Sequence, residues 1–403
     1  MALPLDGIAI LDLTRLIPGP FSTLILADLG AEVVKIEPLI VGDYERQIGP
    51  FQNGMGYRFM LLNRNKRSIA LNLKESAGRE IFMRMVQSSD VVIEGFRPGV
   101  MENLGLGYND LNKINEKIIY CSISSYGHTG PYREKVAHDI NILAVTGLLD
   151  LIGAPGGRPV IPGVQLVDAV TALYAVIGIE AALAEREKTG YGQEIDLSMQ
   201  DCCFSLMFDS VRYEMSNAER PQRGKGRLTG GLARYNLYET KDERYIVLGA
   251  LEKKFYEHIL KKLHLENFYE DSEFLTASEV DENREEMLKI ELQRIFKTKS
   301  AREWEKLLDE ENVFFNVLNT VSEGLNDQQL KSRGMIAETK HPIAGDIKQI
   351  GCPIKFSRAS ISLERFPAPR LGEHTKEILA KHKYQFSEID ELIKSGIVGI
   401  NEK

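Results

Sequence analysis

The sequence predicts an α/β protein built around a parallel sheet. Over the first two hundred residues, short apolar stretches typical of strands alternate with segments of helical periodicity. Strands that alternate with crossover helices indicate a parallel sheet of the Rossmann-like type. No G-x-G-x-x-G motif follows the first predicted strand, so the main sequence signal for dinucleotide binding is missing.

The predicted elements follow one another in order. Residues 7–13 form the first strand, and residues 21–30 form a helix that ends at Gly30, with Pro18 and Pro20 near its first turn. Further strands are predicted at 31–37, 67–73, 90–96 and 117–124. Between two of them, a helical stripe is formed by Ile81, Phe82, Met85 and Val86. An alanine-rich helix is predicted at 171–187, and a turn with a short strand at 190–198.

The composition changes after residue 200, which indicates a second domain. The stretch 218–231 is basic, contains Pro221 and four glycines, and has little to bury. A chain of 403 residues also suits two or three domains. We therefore predict a large domain at 1–200, a linker at 201–227, a smaller α+β domain at 228–325 and a return to the large domain at 326–403.

Charge and cysteine content narrow the class of protein. The net charge is −8, which disfavours nucleic acid or an anionic membrane as the main partner, since both attract a basic surface. The four cysteines show no C-x-x-C spacing, so a disulfide framework or a structural zinc site is not expected, and reduced thiols in a cytoplasm fit best. Neither a signal peptide nor an uncharged apolar run of about 18 residues is recognisable.

Two stretches contain candidate acid–base residues. His138 and Asp139 open an apolar segment, "VAHDINILAVTG". Histidine titrates near neutrality and is the most frequent general acid or base, although a capping or core histidine is the commoner explanation of such a position taken alone. Asp168 is a lone carboxylate where a long apolar helix opens, so it is either an N-cap or a base or nucleophile.

Two further residues follow predicted strands. Glu252 lies between an apolar strand and a helix. It is either an active-site residue at the end of the strand or an acidic residue that only stabilises the start of the helix. Arg97 directly follows the strand at 90–96 and is either a phosphate ligand or a solvated charge. The chain contains no P-loop, H-E-x-x-H or G-x-S-x-G motif.

Several stretches together resemble the family III CoA-transferases. They are "GIAILDLTRLIPGPFSTLILADLGAEVVKIEP", "NKRSIALNLK", "VIEGFRPGVMENLGLGY", "GHTGP", "TGYGQEIDLSM" and "LGEHTKEIL", and the resemblance covers about residues 5–380. Within the family, "VAHDINILAVTG" and "LGALEKKFY" are similar to the α-methylacyl-CoA racemase branch. The transferase branch usually has an aromatic residue in place of His138 and lacks Glu252, whereas both branches share Asp168.

The resemblance implies an active site formed by His138, Asp168 and Glu252, and we predict that Asp139 positions His138. It also implies CoA contacts, which we assign to Arg97, Asn72, Leu73, Lys74, Lys35, Tyr126 and Gly127. Family members form interlocked homodimers, in which the active site lies between the large domain of one chain and the small domain of the other. Three positions depart from the family pattern: Pro38 replaces an arginine, Ala137 replaces a glycine, and His128 replaces a glutamine.

The predicted function is the inversion of the α-carbon of 2-methyl-branched acyl-CoA thioesters by two-base proton transfer, in the cytoplasm. CoA enters as part of the substrate, and this chemistry requires no metal or other cofactor. One alternative is a CoA-transferase that uses Asp168 as a nucleophile. Another is a CoA-binding protein without turnover, which would not need His138, Asp168 and Glu252 together.

Overall fold

The computed structural model describes residues 2–269, 282–308, 314–363 and 365–401. The predicted small domain at 228–325 includes residues 270–281 and 309–313, which lie outside the described residues. The chain divides into two compact units. The first unit comprises 1–146, 163–206 and 328–403, and the second comprises 147–162 and 207–327.

Strands and helices are numbered here in chain order. The described strands are β1 (Ala9–Asp12), β2 (Glu32–Glu37), β3 (Phe51–Gln52), β4 (Met55–Gly56), β5 (Lys66–Leu71), β6 (Val91–Glu94), β7 (Ile119–Ser124), β8 (Glu194–Ser198), β9 (Tyr235–Glu239), β10 (Tyr245–Gly249), β11 (Phe315–Val317), β12 (Ile336–His341), β13 (Gly345–Ile350) and β14 (Val398–Gly399). The described α-helices are α1 (Pro18–Asp28), α2 (Tyr57–Asn63), α3 (Ser76–Val86), α4 (Val100–Asn103), α5 (Tyr108–Ile114), α6 (Asp139–Thr146), α7 (Leu148–Leu151), α8 (Leu166–Thr189), α9 (Met199–Ser205), α10 (Phe208–Met215), α11 (Lys253–Lys262), α12 (Glu282–Phe296), α13 (Ala301–Leu308), α14 (Val321–Gly324), α15 (Gln328–Ser332), α16 (Thr375–Lys381) and α17 (Phe386–Lys394).

A seven-stranded sheet forms the centre of the first unit, in the order β14–β5–β2–β1–β6–β7–β8. Every neighbouring pair is parallel except β14 and β5, which are antiparallel. The first strand lies in the middle, where Leu11 pairs with Val34 of β2 and with Val92 of β6. The prediction of an α/β fold with a largely parallel sheet is therefore confirmed.

Helix α3 shows how the apolar pattern builds the core. Its predicted stripe of Ile81, Phe82, Met85 and Val86 is fully buried and packs in one cluster with sheet residues such as Val92. Burying each of these side chains contributes on the order of 2 kcal/mol, so the stripe fixes the helix on the sheet. The periodicity thus correctly predicts both the helix and its buried face.

The second unit is built on a separate antiparallel sheet in the order β11–β10–β9. Its core includes Trp304, whose indole N–H donates to the carbonyl of Phe296 at 2.9 Å. The rings of these two residues meet edge to face at 5.1 Å. Helices α11, α12 and α13 supply much of this core, so the unit combines one small sheet with helices.

The structure differs from the predicted linker at 201–227. Part of it lies in α9, where Cys202 and Cys203 are buried, and α10 follows at Phe208–Met215. The change of unit falls near residue 206, and the segment 147–162 also belongs to the second unit. Apolar residues at helical spacing in "MQDCCFSLMF" explain the difference, because they form helices before the basic, glycine-rich stretch begins.

Helix α8 carries Asp168 and is the longest described helix, with 24 residues. By length and composition alone it could cross a membrane. It also packs within the first unit, where Val167, Ala172, Ala175 and Ile179 are fully buried. Asp168 and Glu180 interrupt its apolar sequence, so this helix contains no uncharged apolar run of about 18 residues.

Candidate active site

A cleft of about 730 Å³ opens at the carboxyl ends of the central strands. Its wall includes Thr14 and Arg15 after β1, Arg97 after β6, and Ser124 at the end of β7. In open parallel sheets, ligands bind in the crevice outside the carboxyl ends of the strands. The cleft is therefore the candidate active site, and both His138 and Asp168 line it.

His138 occupies the N-cap position of helix α6 through its backbone. Its carbonyl accepts hydrogen bonds from Asn141 N at 2.9 Å and Ile142 N at 3.2 Å, and its N–H donates to Asn141 Oδ1 at 3.0 Å. The residue is exposed and lines the cleft. Because the main chain does the capping, the imidazole is available for chemistry, and a core histidine is excluded.

Asp139, which we predicted to position His138, contacts the start of helix α8 through its side chain. Its Oδ2 accepts hydrogen bonds from Val167 N at 2.7 Å and Asp168 N at 3.2 Å. These N–H groups lie in the first helical turn, where the helix itself offers no acceptor. Asp139 therefore caps α8 from another helix and ties the start of α6 to the start of α8. His138 and Asp168 consequently face the same cleft.

Asp168 is the third residue of α8, and Gln165 takes the N-cap position, so the N-cap explanation for Asp168 is wrong. Its side chain is half-buried. Burial and, to a smaller extent, the negative charge of Asp139 raise the pKa of Asp168, the positive charge of Arg58 opposes both, and the resulting pKa is about 7. A carboxyl group with this pKa exchanges protons readily at neutral pH.

Arg58 is a charged neighbour that the sequence did not reveal. Its guanidinium makes a two-pronged hydrogen bond to the carboxylate of Glu45, which is fully buried. The two residues join a short turn at Tyr44–Gln47 to helix α2. Their partnership depends on tertiary packing, and nothing in the local sequence pattern indicates it.

A second cavity of about 450 Å³ contains three of the predicted CoA-binding residues, Asn72, Leu73 and Lys74. Arg15, Phe96 and Val100 line both cavities, so the two spaces adjoin. The guanidinium of Arg15 lies 5.3 Å from the ring of Phe96 and 5.0 Å from the ring of Tyr44. Sequence reasoning missed Arg15.

Pro38, which replaces the arginine of the family pattern, lines the second cavity. The exposed Arg97 lines the first. The structure thus places the cationic Arg97 and Lys74 in two adjoining spaces, which together suit a long ligand with several phosphates.

Lys35, which the sequence predicted to contact CoA, is not among the residues that line either of the two cavities. It is fully buried, its Nζ lies 2.9 Å from Asp43 Oδ2, and it donates to the Thr14 carbonyl at 2.9 Å. Burial lowers its pKa, but the charges of Asp12 and Asp43 outweigh this effect and raise the pKa above the usual value. Successive strand residues point to opposite faces, and on β2 Lys35 points into a buried ionic cluster.

Tyr126 and Gly127, also predicted to contact CoA, lie in the turn after β7. Gly127 is buried, and its N–H donates to Ser124 Oγ at 2.9 Å. The ring of Tyr126 packs edge to face on Tyr132, with centroids 5.5 Å apart. From this part of the chain, Ser124 and Ser125 supply the wall of the cleft.

Glu252 occupies the N-cap position of α11 in the second unit and is exposed. His138 belongs to the first unit, and the predicted pairing of Glu252 with it stays a prediction. Within the residues that the structure describes, no group of three or more His, Cys, Asp or Glu side chains is arranged to hold a metal ion.

Comparison with known proteins identifies the family. The family model described as CoA-transferase family III matches residues 5–375. This chain belongs to CoA-transferase family III. Its relatives include the human succinyl-CoA:glutarate CoA-transferase, which is 36% identical over 99% of this chain and 91% of that protein. They also include the human α-methylacyl-CoA racemase, which is 33% identical over 99% of this chain and 98% of that protein.

The fold is similar to that of a solved structure. A CAIB/BAIF family protein from Brucella suis superimposes with a TM-score of 0.82 at 32% identity, covering 95% of this chain and all of that one. The family III protein described here is therefore an enzyme of the CoA-transferase and racemase superfamily, and its relatives include both types of enzyme.

Proposed function

We propose that this family III enzyme inverts the α-carbon of 2-methyl-branched acyl-CoA thioesters. The observation that carries the proposal is that two acid–base side chains, His138 and Asp168, line one cleft while Asp139 ties their helix starts together. The histidine itself adds support, because the transferase branch usually has an aromatic residue at that position.

The chemistry needs two such groups. The α-hydrogen of a thioester is acidic because the enolate spreads its charge onto the carbonyl oxygen. Inversion requires a base on one face of the α-carbon and an acid on the other. We assign His138 to one face and Asp168 to the other. The pKa of Asp168, about 7, lets it serve as base for one enantiomer and as acid for the other at neutral pH.

The two adjoining cavities support a place for the rest of the ligand. In the proposal, Arg97 holds a phosphate of CoA, and Asn72, Leu73 and Lys74 contact the nucleotide in the second cavity. Backbone N–H groups at a helix start would stabilise the enolate oxygen. We also propose a cytoplasmic, interlocked homodimer, in which Glu252 from the small domain of one chain assists His138 of the other.

A second candidate is supported by the 36% identity to a succinyl-CoA:glutarate CoA-transferase. In that reaction the Asp168 carboxylate would attack the thioester carbonyl, forming a mixed anhydride and releasing CoA thiolate. The thiolate would then attack the aspartyl carbonyl of the anhydride, releasing the first acid and leaving an aspartyl-CoA thioester. A second carboxylate would finally accept the CoA through the same steps in reverse.

One experiment separates the two candidates. A single enantiomer of a 2-methylacyl-CoA is incubated with the protein in D₂O, with and without a free carboxylic acid. The proposal expects deuterium at the α-carbon and loss of enantiomeric purity without any added acid. If turnover requires the acid and the α-carbon gains no deuterium, the transferase is the correct assignment.

A further inference from the structure

Three linked side chains, those of Glu94, Ser122 and His128, lie behind the turn that carries Arg97. Glu94, the last residue of β6, pairs in register with Ser122 of β7, and the Ser122 hydroxyl hydrogen-bonds to Glu94 Oε1. The same hydroxyl lies 2.7 Å from Nε2 of His128. Glu94 and Ser122 are buried, and His128 is half-buried. None of these three residues has a role in the proposed proton transfer.

Glu94 connects these three linked side chains directly to the wall of the cleft. The other oxygen of Glu94, Oε2, accepts a hydrogen bond from Phe96 N at 2.6 Å. Phe96 lines both cavities and Arg97 lines the first. This bond closes a tight turn over residues 94–96 and thereby sets the direction in which Arg97 leaves the strand. His128, at the other end of the three linked side chains, is also fixed, because its backbone N–H donates to Asp196 at 3.0 Å.

We propose that Glu94, Ser122 and His128 act together as a positioning unit, which holds the turn at residues 95–98 so that Arg97 is oriented for CoA binding. The inference rests on the proposed use of CoA thioesters. It gives a role to His128, where the family pattern has glutamine. Both residues can contact the Ser122 hydroxyl, but histidine can also carry a charge.

The surroundings favour a shared proton in this unit. Burial raises the pKa of Glu94, the hydrogen bonds from Ser122 and Phe96 lower it, the charges of Glu102 and Glu194 raise it, and the resulting pKa is about 7. Other titratable groups near the unit are Asp196, Tyr120 and Cys121. The serine hydroxyl has one proton. It either donates to an ionised Glu94 while accepting from His128, or accepts from a protonated Glu94 while donating to His128.

The test measures CoA affinity by titration calorimetry on the full chain. Ser122→Ala removes the bridge, and we expect the Kd for CoA to rise roughly 3- to 10-fold, the range for one lost buried hydrogen bond. Ser89→Ala is the matched control. It also removes a buried hydroxyl, which donates to the Met85 carbonyl at 2.8 Å near the other end of β6, and it should leave the Kd unchanged. Equal Kd values for the two variants would overturn the proposal.

A double-mutant cycle shows whether the unit acts through Arg97. In an Arg97→Ala background, Ser122→Ala should change the Kd less than twofold, because the group that the unit positions is gone. An additive effect would contradict the inference. A purely structural role would lower the folded fraction of Ser122→Ala without changing the Kd of the folded protein. In steady-state kinetics, Ser122→Ala should raise KM and leave kcat unchanged.

Conservative replacement of the glutamate gives an independent check. Glu94→Gln keeps an acceptor for Phe96 N and the shape of a protonated glutamic acid, so the Kd should stay within about twofold of wild type, whereas Glu94→Ala should raise it about 10-fold. An equal loss in both variants would refute the positioning role. Failure of the wild type to bind CoA would instead overturn the proposed function, and the inference with it.

Discussion

Replacing Asp139 with asparagine should move the pH dependence of α-proton exchange to lower pH. The amide oxygen of the introduced asparagine can still accept the hydrogen bonds from Val167 N and Asp168 N, which keeps α8 capped. The change therefore removes mainly a negative charge. Because that charge contributes to the raised pKa of Asp168, its removal should lower the pKa by about one pH unit.

The raised pKa has a large effect on how the carboxyl group can act. An aspartic acid with the ordinary pKa of 3.8 has about one molecule in 1,600 protonated at pH 7, since the difference is 7 − 3.8 = 3.2 pH units. With a pKa of about 7, half of the molecules are protonated. The population that can donate a proton at neutral pH is thus roughly 800-fold larger, while each donor is a weaker acid than an aspartic acid of ordinary pKa.

The assay follows deuterium entry at the α-carbon of separate R and S thioesters from pH 5 to 9. For the enantiomer from which Asp168 removes the proton, the rate should rise with pH and level off above the pKa of the carboxyl group. The inflection should lie near pH 7 in the wild type and near pH 6 in Asp139→Asn. Asp110→Asn, which changes a partly exposed aspartate beside Lys113, is the control and should keep the wild-type profile.

Two results would refute this reasoning. An inflection at the same pH in wild type and Asp139→Asn would show that the charge of Asp139 does not act on the reacting carboxyl group. A profile without any inflection between pH 5 and 9 would show that Asp168 does not exchange the proton in the rate-limiting step.

Three further outcomes are expected. Arg97→Ala should weaken CoA binding by about 1.5–3 kcal/mol in calorimetry, and unchanged affinity would remove Arg97 from the site. In His138→Ala, the rate of racemisation should fall by about 10²–10⁴-fold, yet the α-proton of the enantiomer that Asp168 faces should still exchange. Asp168→Ala should show the opposite preference between the enantiomers. Equal loss of exchange on both enantiomers in both variants would contradict the two-faced mechanism. The pKa of Glu94 is about 7, against an ordinary value of 4.5, so the folded protein binds the proton of this carboxyl group more tightly than the unfolded protein does. The free energy of unfolding therefore falls as the pH rises from about 4.5 to about 7. Glu94→Gln should therefore be about 3 kcal/mol more stable than wild type in urea unfolding at pH 8 and no more stable below pH 4.5, and an equal gain at both pH values would exclude titration of Glu94 as the cause.

Much of the first unit could be predicted from local sequence patterns. The stripe at Ile81, Phe82, Met85 and Val86 predicted both a helix and its buried face, because helical periodicity directly reflects which side of the helix meets the sheet. The two-residue strand β14 carries no such pattern, and its antiparallel pairing with β5 joins residues more than three hundred positions apart. Pairing of that kind depends on the return of the chain and has no local signal.

In the candidate active site, the sequence indicated the candidate acid–base residues but not the partners of the charged residues. Residue types and their places at the starts of helices suggested His138 and Asp168 as acid–base groups, and both line the cleft. The partners of charged residues were harder to predict, as Asp139 and Lys35 show. Asp139 caps a helix that begins 27 residues further along the chain, and Lys35 pairs with Asp43 inside the protein. Such partners are chosen by packing, because a buried charge must find an opposite charge or hydrogen bonds wherever the fold supplies them.

Asp168 alone does not distinguish the two types of enzyme in the family, because both branches share this aspartate. A nucleophilic carboxylate must be ionised to attack a thioester, and at a pKa of about 7 only half of the Asp168 groups are ionised at neutral pH. A proton-transfer residue benefits from the same pKa, because it must be able to accept and to donate in successive steps. Asp139 contributes to that pKa through its charge and, through its hydrogen bonds, also joins the start of the Asp168 helix to the start of the His138 helix. Asp139, which adds to the effect of burial on the pKa of Asp168, therefore also ties down the helix start beside His138, an arrangement that the proposed inversion uses and a single nucleophile would not need.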